Sequence, residues 1–142
     1  MRYCLLFTIV IGLFSCTKTG TPDRAVDIPP VLDTTVFKIL YTGQFIAGPY
    51  GNAMGSVKIL DSNGVLSLRI EGFSVNSGPD LKIYLSKEQQ PLNFLRLGSL
   101  KGLSGNQHYS IMNRPDFMEY RYVLVHCEKY NHLFGSALLL KR

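Results

Sequence analysis

Apolar and polar residues alternate with a period of two in several short stretches of the chain, the pattern of strands whose two faces meet different surroundings. Val65–Glu71 is the clearest: Leu66, Leu68 and Ile70 fall on one face, and Val65, Ser67, Arg69 and Glu71 on the other. Ser56–Leu60 precedes it, and the intervening Asp61-Ser62-Asn63-Gly64 ends in an Asn-Gly pair that supplies the positive backbone angles of a tight hairpin turn. Phe73 and Val75 extend the alternation. Asn76–Asp80 then turns the chain into Leu81–Leu85, where Leu81, Ile83 and Leu85 alternate with Lys82 and Tyr84, predicting another half-buried strand. The Asp80 carboxylate, directly after Pro79, is expected to accept nearby backbone amides and fasten the turn.

Elsewhere the pattern is less regular. Val36–Phe45 predicts a strand, and Gly48-Pro49-Tyr50-Gly51-Asn52 breaks it. Residues 86–106 read as a long irregular excursion punctuated by Pro91, Gly98, Gly102 and Gly105. Gln107–Ile111 predicts a short strand, and Arg114–Tyr120 one helical turn with Pro115 at its first position. Tyr122–Cys127 sets Val123, Val125 and Cys127 on one face and Tyr122, Leu124 and His126 on the other. Phe134–Leu140 predicts a last strand, with its three leucines implying burial on both faces. The sum is an all-β fold, an antiparallel β-sandwich or flattened barrel of about seven or eight short strands.

Composition agrees. Eight Tyr, eight Phe and thirteen Gly in 142 residues suit strands and turns better than a helical bundle, and an apolar fraction of 46% suffices for one core. The start of the chain differs in character. Arg2 precedes an apolar run from Leu5 to Leu13 that is shorter than the about 20 residues needed to span a membrane. That run and the following Phe14-Ser15-Cys16 predict a lipoprotein signal peptide over 1–15, cleaved before Cys16, whose thiol takes the lipid. Residues 16–35, rich in Thr, Asp and Pro, then form a flexible tether, and 36–142 the β domain. The expected place is the bacterial cell envelope, outside the cytoplasm, with the membrane as partner through Cys16. The domain's twelve Lys and Arg against seven Asp and Glu are dispersed and form no stripe, which argues against nucleic acid.

Cysteine usage narrows the chemistry. Cys4 leaves with the signal and Cys16 carries lipid, so Cys127 is left as a lone thiol. Such a thiol can form a sulfenic acid, a mixed disulfide or a metal bond, but cannot cycle through an internal disulfide. Lys129 and His126 are its charged candidates by sequence, yet His126 should point to the opposite face. Two readings stay open: thiol-redox chemistry at Cys127, with a redox protein as partner, or core packing beside Val123 and Val125. His108, His126 and His132 lack zinc spacing and there is no Cys-x-x-Cys-His, so no cofactor is identified, with haem and metal left open. No nucleophile elbow or phosphate loop points to an enzyme.

Four segments together carry a family resemblance: Phe73–Ser86, Leu100–Gly102 with Gly105–Tyr109, Tyr120–Val123, and Val125–Cys127 with Phe134–Ala137. They resemble the DM-thirteen domain family over about Gly43 to Leu140. The resemblance implies a small extracytoplasmic β domain, found alone in bacterial secreted or lipid-anchored proteins and beside DOMON and b-type cytochrome domains in animals, with a role in electron transfer. It implies that Cys127 is the family's cysteine, that Gly78, Pro79 and Asp80 form its turn, that Lys101 and Gly102 form its loop, and that Phe134, Gly135 and Ala137 close the pattern. The family usually has an aromatic residue, often Trp, where this chain has His126.

The anchor is directly testable. Intact mass of the membrane-extracted protein is expected to show an N-terminal Cys16 carrying diacylglycerol; a mature N-terminus without lipid would remove the anchor from the account.

Overall fold

A computed structural model describes residues 37–142. The expected signal segment, the tether and Cys16 lie outside the described residues. Among those described, the chain forms nine strands and no helix: β1 (Lys38–Ala47), β2 (Met54–Ser62), β3 (Val65–Ser74), β4 (Leu81–Ser86), β5 (Phe94–Ser99), β6 (Ser104–Ile111), β7 (Tyr122–Cys127), β8 (His132–Leu138) and β9 (Leu140–Lys141). Every pairing is antiparallel. The strands follow one another as β5-β4-β7-β8-β1-β2-β3-β6, with β9 beside β1. This is the all-β flattened barrel that the alternation implied. β1 makes the corner: its first part pairs with β2, and Phe45–Ala47 pair with β8.

The predicted hairpin forms as read. Asn63 and Gly64 take φ of 51° and 88°, and Ser62 pairs with Val65 across the two-residue turn. Asp61 braces it by accepting the Gly64 N–H through Oδ1 at 2.7 Å, while Arg114 donates to Asp61 Oδ2 at 3.1 Å and to the Gly64 carbonyl at 2.5 Å. The Gly64 N–H, followed by Arg114, holds the Asp61 carboxyl below its ordinary range.

The core lies between the two flattened halves. Val57, Ile59, Leu66, Leu68, Ile70 and Phe73 face Ile83, Leu85, Val123 and Val125, and Phe45 meets Phe73 edge-on at 5.6 Å. Phe117 drops into this core from the 112–121 connection and packs on Tyr41 at 5.1 Å.

Four local expectations are corrected. The 86–106 stretch contains all of β5 and the start of β6; the irregularity is a register shift opposite Ile83 and Tyr84, where Leu97 is the extra residue beside Gly98. The turn near 114–120 begins at Asp116 instead of Pro115. Asp116 Oδ1 accepts the Met118 N–H at 2.8 Å, and its carbonyl accepts Glu119 and Tyr120, so Asp116 is the cap. β4 is buried on both faces along its whole length, not half-buried, because β5 and β7 flank it and the loop after it folds over its outer side. At the C-terminal end, double burial falls on Leu133–Ala137 in β8, where Phe134 and Ala137 enter the main core while Leu133 packs with Tyr84 and Leu124 and Gln89 reaches Ser136 on the other side; Leu138 and Leu140 are exposed.

Gly135 shows how closely this layer is packed. It pairs with Ala47 on one side and Val125 on the other, and a Cβ there would lie 2.4 Å from Ala53 Cβ and 3.0 Å from the Ile46 carbonyl oxygen. Gly135→Ala is expected to lose about 1–3 kcal/mol through overpacking, read as a lower urea midpoint at unchanged slope. Gly102→Ala, whose nearest neighbour would be 3.6 Å away, should be close to neutral, and equal behaviour of the two variants would contradict this packing.

Candidate functional site at the β4–β7 pair

Cys127 is the last residue of β7 and pairs in register with Leu81 of β4 and His132 of β8. Its side chain is fully buried, a free thiol in the main core with Val123 and Val125. Neither sequence-proposed neighbour joins it. Lys129 is exposed and its ammonium lies over the Tyr130 ring at 5.6 Å. His126 packs on the opposite side of the strand, 5.4 Å from the Tyr84 ring. His132 stacks on Tyr50 at 3.7 Å, and His108 is exposed on β6. Among the described residues no three His, Cys, Asp or Glu side chains gather as metal ligands.

The outer face of the β4–β7 pair is as dry as the inner one. Lys82, Tyr84, Ser86, Leu124 and His126 are all buried there. Tyr84 donates its hydroxyl proton to Glu128 Oε1 at 2.6 Å and stacks on Phe94 at 4.1 Å, with Arg96 3.4 Å from the other Glu128 oxygen. Burial first, and the Glu128 hydrogen bond second, push the Tyr84 phenol far above its ordinary range, so it stays protonated. His126 donates through Nε2 to Asn131 Oδ1 at 3.1 Å, leaving Nδ1 as a buried lone pair with no partner among the described residues. Burial lowers the His126 pKa, and Asn131 opposes that shift.

The resemblance's turn and loop meet at one end of this face. Asp80 Oδ1 lies 2.5 Å from Lys82 Nζ, which also donates to Ser99 Oγ at 3.0 Å. The carboxylate therefore pairs with a side chain instead of fastening the turn through backbone amides; the Asp80 carbonyl does the fastening, accepting the Glu128 N–H at 3.0 Å. Leu100 donates its N–H to the Leu81 carbonyl at 2.8 Å, which brings Gly102 beside Gly78, Pro79 and Asp80 around a cleft of about 320 Å³. Lys101 is turned away, donating to the His108 carbonyl and lying 4.9 Å over the Tyr109 ring. Sequence reasoning placed Lys82 and Tyr84 on a solvent face and so missed the Lys82–Asp80–Ser99 and Tyr84–Glu128–Arg96 groups. The weak available signal was Ser86 and Tyr84 sharing a face with a single lysine.

The chain matches the family profile described as Electron transfer DM13 over residues 44–139, and it belongs to that family. Searches of curated proteins and of solved structures returned no match.

Loss of the orphaned nitrogen should be measurable. The folded His126 pKa lies below the unfolded value of 6.5, so folding excludes a proton. Stability must fall as pH drops below about 6.5, until the folded state protonates too. His126→Phe is expected to gain about 1 kcal/mol at neutral pH and to remove this part of the decline, as read by urea unfolding across pH. An unchanged pH profile in the variant would show that His126 is not the group responsible.

Proposed function

We propose that this DM13-family chain is an extracytoplasmic electron-transfer accessory domain, held at the bacterial cell envelope by lipid on Cys16, whose redox thiol Cys127 is guarded by the fold. Family membership supports the electron-transfer class. The observation that shapes the reading is the complete burial of Cys127 one residue before an exposed turn. A buried sulfur cannot reach a partner disulfide, so exchange requires the β7–β8 hairpin to open locally.

The hairpin tip is suited to that. Residues 128–131 are largely exposed, and few bonds hold the tip: the Glu128 N–H to the Asp80 carbonyl at 3.0 Å, the Asn131 N–H to the Glu128 carbonyl at 3.4 Å, and the side-chain contacts of Glu128 with Tyr84 and Arg96 and of Asn131 with His126. Once exposed, the Cys127 thiolate attacks one sulfur of a partner's disulfide. A mixed disulfide forms, the partner's S–S bond breaks, and its second sulfur leaves as thiolate. The partner is therefore a disulfide-bearing protein, and electrons reach it when a thiol of a further protein attacks the Cys127 sulfur, forming a new disulfide with Cys127 and releasing the partner as a dithiol; attack by the partner's own thiolate only reverses the step. Guarding favours a specific partner over small oxidants.

A second reading has its own support. Cys127 shares the core with Val123 and Val125, which fits a non-enzymatic envelope-binding module in which the thiol only packs.

Maleimide labelling in the folded state separates the two. Local opening predicts slow native-state labelling of Cys127 with little dependence on low urea, because opening a hairpin exposes little surface. Labelling whose urea dependence equals that of global unfolding would reject the guarded-thiol reading and leave packing.

A further inference from the structure

Whichever role Cys127 has, the cleft between the 78–80 turn and the 99–103 loop has a separate chemistry. Its two walls are fixed before any ligand arrives. Leu100 is tied to Leu81, and the Val75 N–H donates to the Leu103 carbonyl at 2.9 Å. The buried Gln107 side chain donates to the Gly102 carbonyl at 2.7 Å and accepts the Lys101 N–H at 3.1 Å. The loop cannot collapse into the space without breaking these bonds, so little ordering is left for a ligand to impose. Its volume of about 320 Å³ is at the low end of the range for small-molecule sites.

The polar groups lining it are only partly used. Lys82 is nine-tenths buried along its side chain and has two of its three N–H donors on Asp80 Oδ1 and Ser99 Oγ. Ser99 accepts from Lys82, which leaves its own O–H to donate. Among the described residues Asp80 Oδ2 has no partner within the protein. The cleft thus offers one strong acceptor and two donors within a few ångströms of one another. Asp80 and Lys82 neutralise each other, and Lys101 points elsewhere, so no net charge remains to attract an ion. An anion approaching Lys82 would meet the Asp80 carboxylate already on that nitrogen, and a cation approaching Asp80 would meet the ammonium. Around these groups stand Pro79, Leu100 and Leu103, an apolar border suited to C–H surfaces.

We infer that this cleft binds a neutral saccharide unit through two adjacent hydroxyl groups. One hydroxyl donates to Asp80 Oδ2, and the oxygens of the pair accept from Lys82 Nζ and Ser99 Oγ, while the ring's C–H face lies on Pro79 and Leu103. A peptide amide fits less well, because its single N–H and carbonyl point in opposite directions and cannot satisfy one acceptor and two donors on the same side. The Asp80–Lys82 pair thereby acts as a hydroxyl reader, in addition to its place in the buried face.

Saturation-transfer NMR on the full chain in detergent, with the methyl glycosides of glucose, galactose and mannose as probes, tests this. At least one neutral glycoside is expected to receive saturation on its ring protons, while methyl glucuronide and N-acetylglycine methylamide receive less. Asp80→Asn and Lys82→Met should each weaken binding about tenfold or more, since hydrogen bonds to charged groups are the strong ones. Leu103→Arg, at an exposed position where folding is not at risk, should weaken it as well by removing the apolar border. Absence of transfer to every neutral glycoside, preference for the amide or the glucuronide, or unchanged binding in Leu103→Arg would each overturn the assignment.

Discussion

The double burial of β4 governs most of what is unusual in this domain. A strand with neighbours on both edges and cover on both faces leaves its polar side chains little route to water, so nearly all of their polar atoms must be matched within the protein or pay the desolvation. Lys82 meets Asp80 and Ser99, Tyr84 meets Glu128, and the Ser86 hydroxyl lies within reach of the Gln90 and Asn93 carbonyls at 3.1 and 3.3 Å. On β8, Ser136 accepts from Gln89 at 3.1 Å in the same way. These contacts position the surrounding loops: the 87–93 segment lies where Ser86 and Ser136 need partners, and the Glu128 end of the hairpin lies where Tyr84 needs one. Covering the outer face and satisfying its polar atoms are one structural requirement.

The same strand pair separates the two chemistries that adjacent residues suggested. His126 and Cys127 are neighbours in sequence, yet one faces the outer polar layer and the other the inner apolar core. The imidazole therefore cannot act on the thiol as a base. At the position where the resemblance implies an aromatic ring, His126 sets its ring against Tyr84 and carries a nitrogen with no partner among the described residues. His126 therefore bears on the outer layer, while the thiol's own surroundings lie in the inner core.

Legibility followed the range of the interaction. The β2–β3 hairpin was readable because its determinants are local: Leu66, Leu68 and Ile70 set the face, and Asn63-Gly64 sets the turn and register. The inward orientation of Cys127 beside Val123 and Val125 was readable for the same reason. β5 was not, because Leu97 and Gly98 interrupt its alternation and it exists by pairing with β4. The burial of Lys82 and Tyr84 was invisible too, since their cover comes from Phe94, Glu128 and the 87–93 loop, segments that only the tertiary fold brings near. Likewise Gly78-Pro79-Asp80 and Lys101-Gly102 are recognisable as motifs, but nothing in their spacing says that a Leu100–Leu81 backbone bond sets Gly102 across one cleft from the turn while Lys101 points away.

That cleft and the thiol are mechanically joined at Asp80. Its carboxylate belongs to the cleft, while its carbonyl accepts the N–H of Glu128, the residue after Cys127. Opening the hairpin far enough to bare the sulfur breaks this bond and frees the turn that carries the carboxylate. A ligand that binds only the closed arrangement must then oppose opening by RT ln(1 + [L]/Kd), whatever its identity, because it stabilises the state in which the bond is made. Reciprocity runs the other way: a partner that captures the exposed thiol weakens the cleft by the same factor. On the guarded-thiol and cleft readings proposed above, the backbone bond between Asp80 and Glu128 is the point at which occupancy of the outer face and reactivity of the inner one would become a single equilibrium.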